Sequence, residues 1–290
     1  MDQAVTLRSA MENGGDLLKT RGAPTRVMAV SSGKGGVGKT NSVVNLAIAF
    51  SRMNKRVLLL DADLGLGNLD ILLGLAPRYN MGHLLRGEKT IEEVIIKGPS
   101  GILILPASSG VQEMTHLGTE ERLALSSHLE NLDMGIDIML IDTGAGISSN
   151  VLFFTMAAQE IIVVVTPEPT AITDAYALMK VLLQKHGERM FKLIVNTVKT
   201  KKEGVEVYRK ISLAAERFLN VSVEYLGCVM YDENVPRSVV QQKPMLELYP
   251  KSKASVCYEE IAQEICDSPV RNTVKGGMQF FWRQVLNRNF

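Results

Sequence analysis

The sequence predicts a doubly wound α/β fold with a mostly parallel sheet, and three observations predict it. Short apolar segments rich in Val, Ile and Leu alternate with longer segments of helical periodicity. The apolar segments show no polar alternate face, as in strands covered by helices on both sides. The first of them, residues 26 to 31, runs directly into a glycine-rich loop that opens a helical stretch.

Within residues 40 to 53, Val43, Val44, Ala47, Ile48 and Phe50 recur at near-helical spacing, and residues 56 to 60 give a second buried strand, completing a βαβ unit. The pattern then predicts strands at 102 to 105, 136 to 141, 161 to 165, 191 to 195 and 224 to 230. Helices are expected around 119 to 132, 148 to 158, 171 to 185 and 203 to 218. Residues 24 to 267 therefore read as one domain. Residues 1 to 23 hold a short helical stretch ahead of Gly22-Ala23-Pro24. Residues 268 to 277, with Pro269, Gly276 and Gly277, read as a linker to a separate tail at 278 to 290.

Composition narrows the class. A chain of 290 residues, 46% hydrophobic, buries a sizeable core, and 32 Lys and Arg against 31 Asp and Glu give no global charge for wrapping nucleic acid. Cys228, Cys257 and Cys266 form no Cys-x-x-Cys pair, so neither a disulfide framework nor a zinc site is expected, and a reducing cytosol fits. The charged N-terminus does not read as a secretory signal, and no run of about 18 apolar residues suggests a membrane span. Any membrane contact is expected to be peripheral. His83, His116, His128 and His186 are scattered and receive no role.

The loop itself is Gly33-Lys34-Gly35-Gly36-Val37-Gly38-Lys39-Thr40, which satisfies Gly-x4-Gly-Lys-Ser/Thr between a strand and a helix. Its backbone N–H groups suit a phosphate cradle, Lys39 the β/γ oxygens and the Thr40 hydroxyl a Mg²⁺ ion. Carboxylates follow at two strand ends. Asp61-Ala62-Asp63 closes the second strand, and Asp142-Thr143-Gly144-Ala145-Gly146 closes the strand at 136 to 141. Ligands bind at such edges of open sheets. Solvent-facing caps are the other reading, and they explain a single Asp better than the pair.

With its extra lysine, Lys34, the loop resembles the deviant Walker A motif of the MinD/ParA family of P-loop ATPases, over about residues 25 to 265. The resemblance implies ATP hydrolysis with Mg²⁺, a nucleotide site spanning Gly33 to Asn41, and a homodimer that sandwiches ATP. In it Lys34 reaches the partner's phosphates, Asp63 orients the attacking water, Asp61 and Asp142 lie in the Mg²⁺ shell, and Asn196 contacts adenine. A solvated loop lysine and a plain strand-end asparagine are the alternatives. Gly144 departs from cell-division MinD, which usually has proline there.

Asn41, the stretch Asp61 to Gly65, the Asp142 to Gly146 loop and an N-terminus with Asp2, Gln3, Ala4, Leu7 and Arg8 resemble one branch of that family. This branch is the flagellar number regulators, FlhG, also called YlxH or FleN. The resemblance implies that residues 1 to 23 stimulate the FlhF GTPase, against the alternative of a frayed terminus. It also implies a membrane-targeting tail on the inner face of the cell membrane. In that tail Met278, Phe281, Trp282, Val285 and Leu286 share a face, Arg283 and Arg288 flank it, and Phe280 breaks the pattern. Docking of the tail on its own domain is the other reading. Flagellar switch proteins or a transcription regulator are the implied clients. A MinD-like division regulator and a ParA-like DNA partitioning ATPase remain as alternatives.

Overall fold

A computed structural model describes residues 25–269, apart from 66, 109–116 and 133. The expected partner-binding residues Asp2, Gln3, Ala4, Leu7 and Arg8 lie outside that range. So do the tail residues Met278, Phe281, Trp282, Val285 and Leu286.

The chain opens with β1 (Arg26–Ser32), α1 (Lys39–Arg52) and β2 (Val57–Ala62). Three short helices follow, α2 (Leu69–Leu72), α3 (Met81–Leu85) and α4 (Ile91–Val94), with β3 (Ile96–Lys97) and β4 (Leu103–Leu105) after them. The alternation then becomes regular. It runs α5 (Thr119–Glu130), β5 (Ile138–Ala145), α6 (Ser149–Met156), β6 (Glu160–Val165), α7 (Pro169–His186), β7 (Met190–Val198), α8 (Lys201–Leu219) and β8 (Ser222–Met230). The last elements are α9 (Asn234–Val240), α10 (Met245–Leu248) and α11 (Lys253–Asp267).

The strands form one sheet in the order β3-β4-β2-β5-β1-β6-β7-β8. Every pairing is parallel except that of β3 with β4. Every residue of β1, β2 and β6 is buried, as their unbroken apolar runs require. Local signals set the helix ends. Pro169 occupies the first turn of α7, and Gly187 ends that helix in the left-handed region, where glycine carries no Cβ penalty. The Thr200 hydroxyl accepts from Glu203 N–H at the start of α8.

The strands and helices expected from 26 to 230 all form. Helices α2, α3, α4, α9 and α10 span only four to seven residues, too few to show a 3.6-residue period, and β3 is a two-residue strand. Helix α11 is longer, but its buried stripe of Ala254, Cys257, Tyr258, Ile261, Ala262 and Ile265 is diluted by small and polar-tipped residues. It packs against β8 and α1 and closes the sheet on that side.

A buried ionic ladder crosses the N-terminal ends of the last four strands. The Arg26 guanidinium meets both Glu160 oxygens at 2.5 and 2.9 Å, and Lys192 Nζ lies 3.0 Å from Glu160 and 3.2 Å from Glu224. Burial by itself pushes the Glu160 carboxyl up, but the Arg26 hydrogen bonds and the Arg26 and Lys192 charges outweigh it and hold the group below 4.5. A depressed carboxyl stabilises the fold above the unfolded value and loses that contribution as pH falls through the folded one. Glu160→Gln should therefore lower stability by about 3–5 kcal/mol at neutral pH by leaving buried cations underpaired. In denaturant titrations the gap from wild type should narrow below about pH 4.5. A gap independent of pH would show that the carboxylate charge is not what matters.

Candidate functional site

Five adjacent strands, β2-β5-β1-β6-β7, present their C-terminal ends along one edge, and every expected site residue among the described residues lies there. The glycine-rich loop leaves β1 at the centre of this edge and enters α1 at Lys39. Two of its glycines have a steric reason. A Cβ on Gly33 would sit 2.2 Å from the Asp174 backbone in α7, so the loop can pass that helix only without a side chain. Gly38 adopts φ +82°, and a Cβ there would lie 2.2 Å from Asn196 Nδ2.

Asn196 is thus part of the loop's frame. Its Nδ2 donates to Val37 O at 2.8 Å, and its Oδ1 accepts from Thr197 N–H at 2.9 Å. Thr197 is β-branched yet holds φ +61°, a strained conformation that this hydrogen bond helps fix. The base contact expected of Asn196 would add to a bracing role that its sequence position did not suggest.

The charged centre is compact. Lys39 Nζ lies 2.5 Å from Asp142 Oδ1, and Lys39, Asp142 and Asp61 are all buried. Asp61 pairs in register with Asp142 across β2 and β5. Burial pushes the Asp61 carboxyl up to about 8, and the charges of Asp142 and Asp63 add to the rise. The N–H groups of Asp63 and Leu69, at 3.2 and 3.4 Å, pull the other way. Asp142 thus pairs with the one buried lysine, Asp61 stands beside it in register, and the hydroxyl-bearing Thr40 opens α1. The oxygens of Thr40, Asp61 and Asp142 suit a hard divalent cation such as Mg²⁺. The open loop N–H groups and Lys39 suit phosphate.

The end of β5 runs on to Ala145 rather than stopping at Ile141 as expected, and it is tied to its neighbours. Gly146 N–H donates to Ser32 O at 2.9 Å, and the Thr143 hydroxyl joins Ser31, which in turn meets Thr155. A Cβ on Gly144 would stand 3.4 Å from Asp63 Oδ1, so this end of β5 lies against the Asp63 carboxylate. Lys34 turns to α7 of its own chain. Its Nζ meets Glu168 Oε2 at 2.8 Å and Thr170 Oγ1 at 2.9 Å, on the exposed rim. The sequence reading missed Glu168 and Thr170. The available signal was their place around Pro169, at a helix start just after a central strand.

A phosphate-binding loop between β1 and α1, with acidic residues at the adjacent strand ends, defines a P-loop nucleoside triphosphatase. Residues 25–193 match the AAA domain family. The chain is 42% identical over 263 residues to the antiactivator FleN of Pseudomonas aeruginosa, an alignment covering 91% of this chain and 94% of that protein. It is 32% identical to the flagellum site-determining protein YlxH of Helicobacter pylori, covering 90% of each. Its fold is similar to MinD from the MinC:MinD cell division complex of Aquifex aeolicus, with a TM-score of 0.68 and 27% identity over 86% of this chain and 98% of that one. The chain belongs to the MinD/ParA family of P-loop ATPases.

Asn196→Ala should test the brace. Removing the amide leaves the Val37 carbonyl without its donor, and ATP affinity should fall about tenfold, corresponding to about 1.4 kcal/mol. Titration with a fluorescent ATP analogue measures it. Affinity equal to wild type would mean that the loop keeps its shape unaided.

Proposed function

We propose that the protein is an ATP-driven, dimerising switch that regulates flagellar number or placement. The observation that carries this reading is Lys34, a second lysine in a phosphate loop whose own phosphate lysine, Lys39, is already committed to the buried centre. An exposed lysine on the rim is placed to serve a second copy's phosphates once its contacts with Glu168 and Thr170 are exchanged.

In this reading Gly33, Lys34, Gly35, Gly36, Val37, Gly38, Lys39, Thr40, Asn41 and Asn196 form the nucleotide site. Lys39 holds the β/γ oxygens, and Thr40, Asp61 and Asp142 hold Mg²⁺, which when bound neutralises phosphate charge. Asp63 orients the attacking water from the side where the Asp142–Gly146 loop meets it. That loop moves when the γ-phosphate is lost, and the glycines permit the motion.

Residues 24 to 267 form the ATPase domain. Residues 1 to 23 act on the FlhF GTPase, with Gln3 and Arg8 addressing its phosphate site. No helix among the described residues is long and apolar enough to cross a membrane. In this reading attachment to the inner face of the cell membrane rests on residues 278 to 290, by their resemblance to a membrane-targeting helix. The flagellar role is supported by the similarity to an antiactivator and to a flagellum site-determining protein. Those two names also suggest two clients, a transcription regulator and the flagellar base.

One short amphipathic helix binds lipid reversibly, while two on a dimer bind with a raised effective concentration. In liposome flotation the wild type should bind at least about tenfold better with ATP than with ADP, and protein lacking 278 to 290 should stay unbound. Equal flotation in both nucleotides would remove the switch. Separately, a peptide covering residues 1 to 23 should accelerate GTP hydrolysis by FlhF, and Gln3→Ala and Arg8→Ala peptides should not. No acceleration by the native peptide would sink the partner assignment.

A further inference from the structure

We propose that α11 ties the phosphate loop to the root of the C-terminal segment, with Tyr258 as the positioning residue at the loop end and Arg26 at the other. The inference goes beyond the proposed function: it needs the ATPase site but not lipid binding.

The loop end is a count of protons. Ser42 Oγ donates to Gly38 O at 2.9 Å, which uses its only proton. The Tyr258 hydroxyl lies 3.5 Å from Ser42 Oγ and must therefore be the donor in that contact. Tyr258 is fully buried, and burial pushes its phenol up to about 12, so it keeps its proton at neutral pH. Gly38 O, Ser42 and Tyr258 thus form a line from the loop into α11. Each helix is also held to a third element: Asn45 of α1 accepts from Leu246 N–H of α10 at 3.0 Å, and Asp232, in the turn after β8, accepts from Ala254 N–H in the first turn of α11 at 3.3 Å.

The other end is a count of donors. Arg26 has five N–H groups, and five acceptors meet them. Two are the Glu160 oxygens, and the remaining three belong to the end of α11: Ile265 O, Ser268 O at 3.3 Å and Ser268 Oγ at 3.0 Å. A buried arginine thus spends three of its five donors on the residues from which the C-terminal segment departs. Arg26 opens β1, the strand that leads into the phosphate loop. The circuit β1, loop, α1, α11 and back to β1 is closed by side-chain hydrogen bonds, so displacement of Gly38 loads Ser268 through a single helix.

Trypsin cleavage of the full-length protein after Arg271 or Lys275 reads the root of the segment. With Mg²⁺ and either ADP or a non-hydrolysable ATP analogue, wild type should show cleavage rates differing at least about threefold between the two states. Tyr258→Phe should bring that ratio close to one and raise KM for ATP about twofold to fivefold, with kcat within about twofold. Ser42→Ala, which removes the acceptor and keeps the phenol, should reproduce both changes should the Phe variant fold poorly. Ser268→Ala, which removes one of the three contacts of Arg26 at the end of α11, should speed cleavage in both states, lower the ratio and leave KM within about twofold. A purely structural role for Tyr258 predicts a lower melting temperature with the ratio intact, and that result overturns the inference. A wild-type ratio of one overturns it as well. Protein that floats with lipid yet shows no ratio would fail this inference alone, whereas absence of ATP hydrolysis would fail the reading of the site.

Discussion

The structure depends on one electrostatic constraint, the buried Lys39 ammonium set against Asp142 and beside Asp61 where β1, β5 and β2 end. A buried carboxylate left without a cation costs several kcal/mol, so the end of β5 and the helix of Lys39 are held together where the phosphate loop leaves β1. In the order β2-β5-β1 this pair sits at the middle of the sheet edge. Burial, with the charges of Asp142 and Asp63 adding to it, raises the Asp61 carboxyl, and a cation bound beside it would relieve that cost.

Around that centre the loop is held by backbone geometry rather than by charge. Asn196 braces Val37, α7 presses on Gly33, and Ser32 O ties down the loop after β5. Two of these contacts come from strand ends and one from α7, so the phosphate cradle is assembled by several elements of the sheet edge. Lys34 is the exception. It sits on the rim, held by Glu168 and Thr170 through contacts that exposure makes cheap to exchange. A strong buried pair and a weak exposed pair thus stand on the same loop, and the proposed switch uses the second.

Much of this was legible in the sequence, for physical reasons. Near-continuous apolar strands such as residues 161 to 165 have one interpretation in an alternating pattern, and Gly33, Gly38, Lys39 and Thr40 must stand between a strand and a helix to work. Short helices α2 to α4 were invisible because four or five residues carry no period. The bracing role of Asn196 was also hidden, since it depends on how closely β7 approaches the loop, a fact of packing rather than of spacing. The Arg26 and Glu160 pair is 134 residues apart in the chain and joins only through the parallel register of β1 and β6.

The central claim is that this sheet edge works as a nucleotide-dependent dimer switch. Its most direct test is the mass of Asp63→Ala protein by light scattering, with Mg²⁺ and either ATP or ADP. Loss of the water-orienting carboxylate should slow hydrolysis without weakening binding, giving a dimer in ATP and a monomer in ADP. Adding Lys34→Ala to the same protein should return it to a monomer in both. An Asp63→Ala protein that binds ATP normally and remains monomeric would contradict the account.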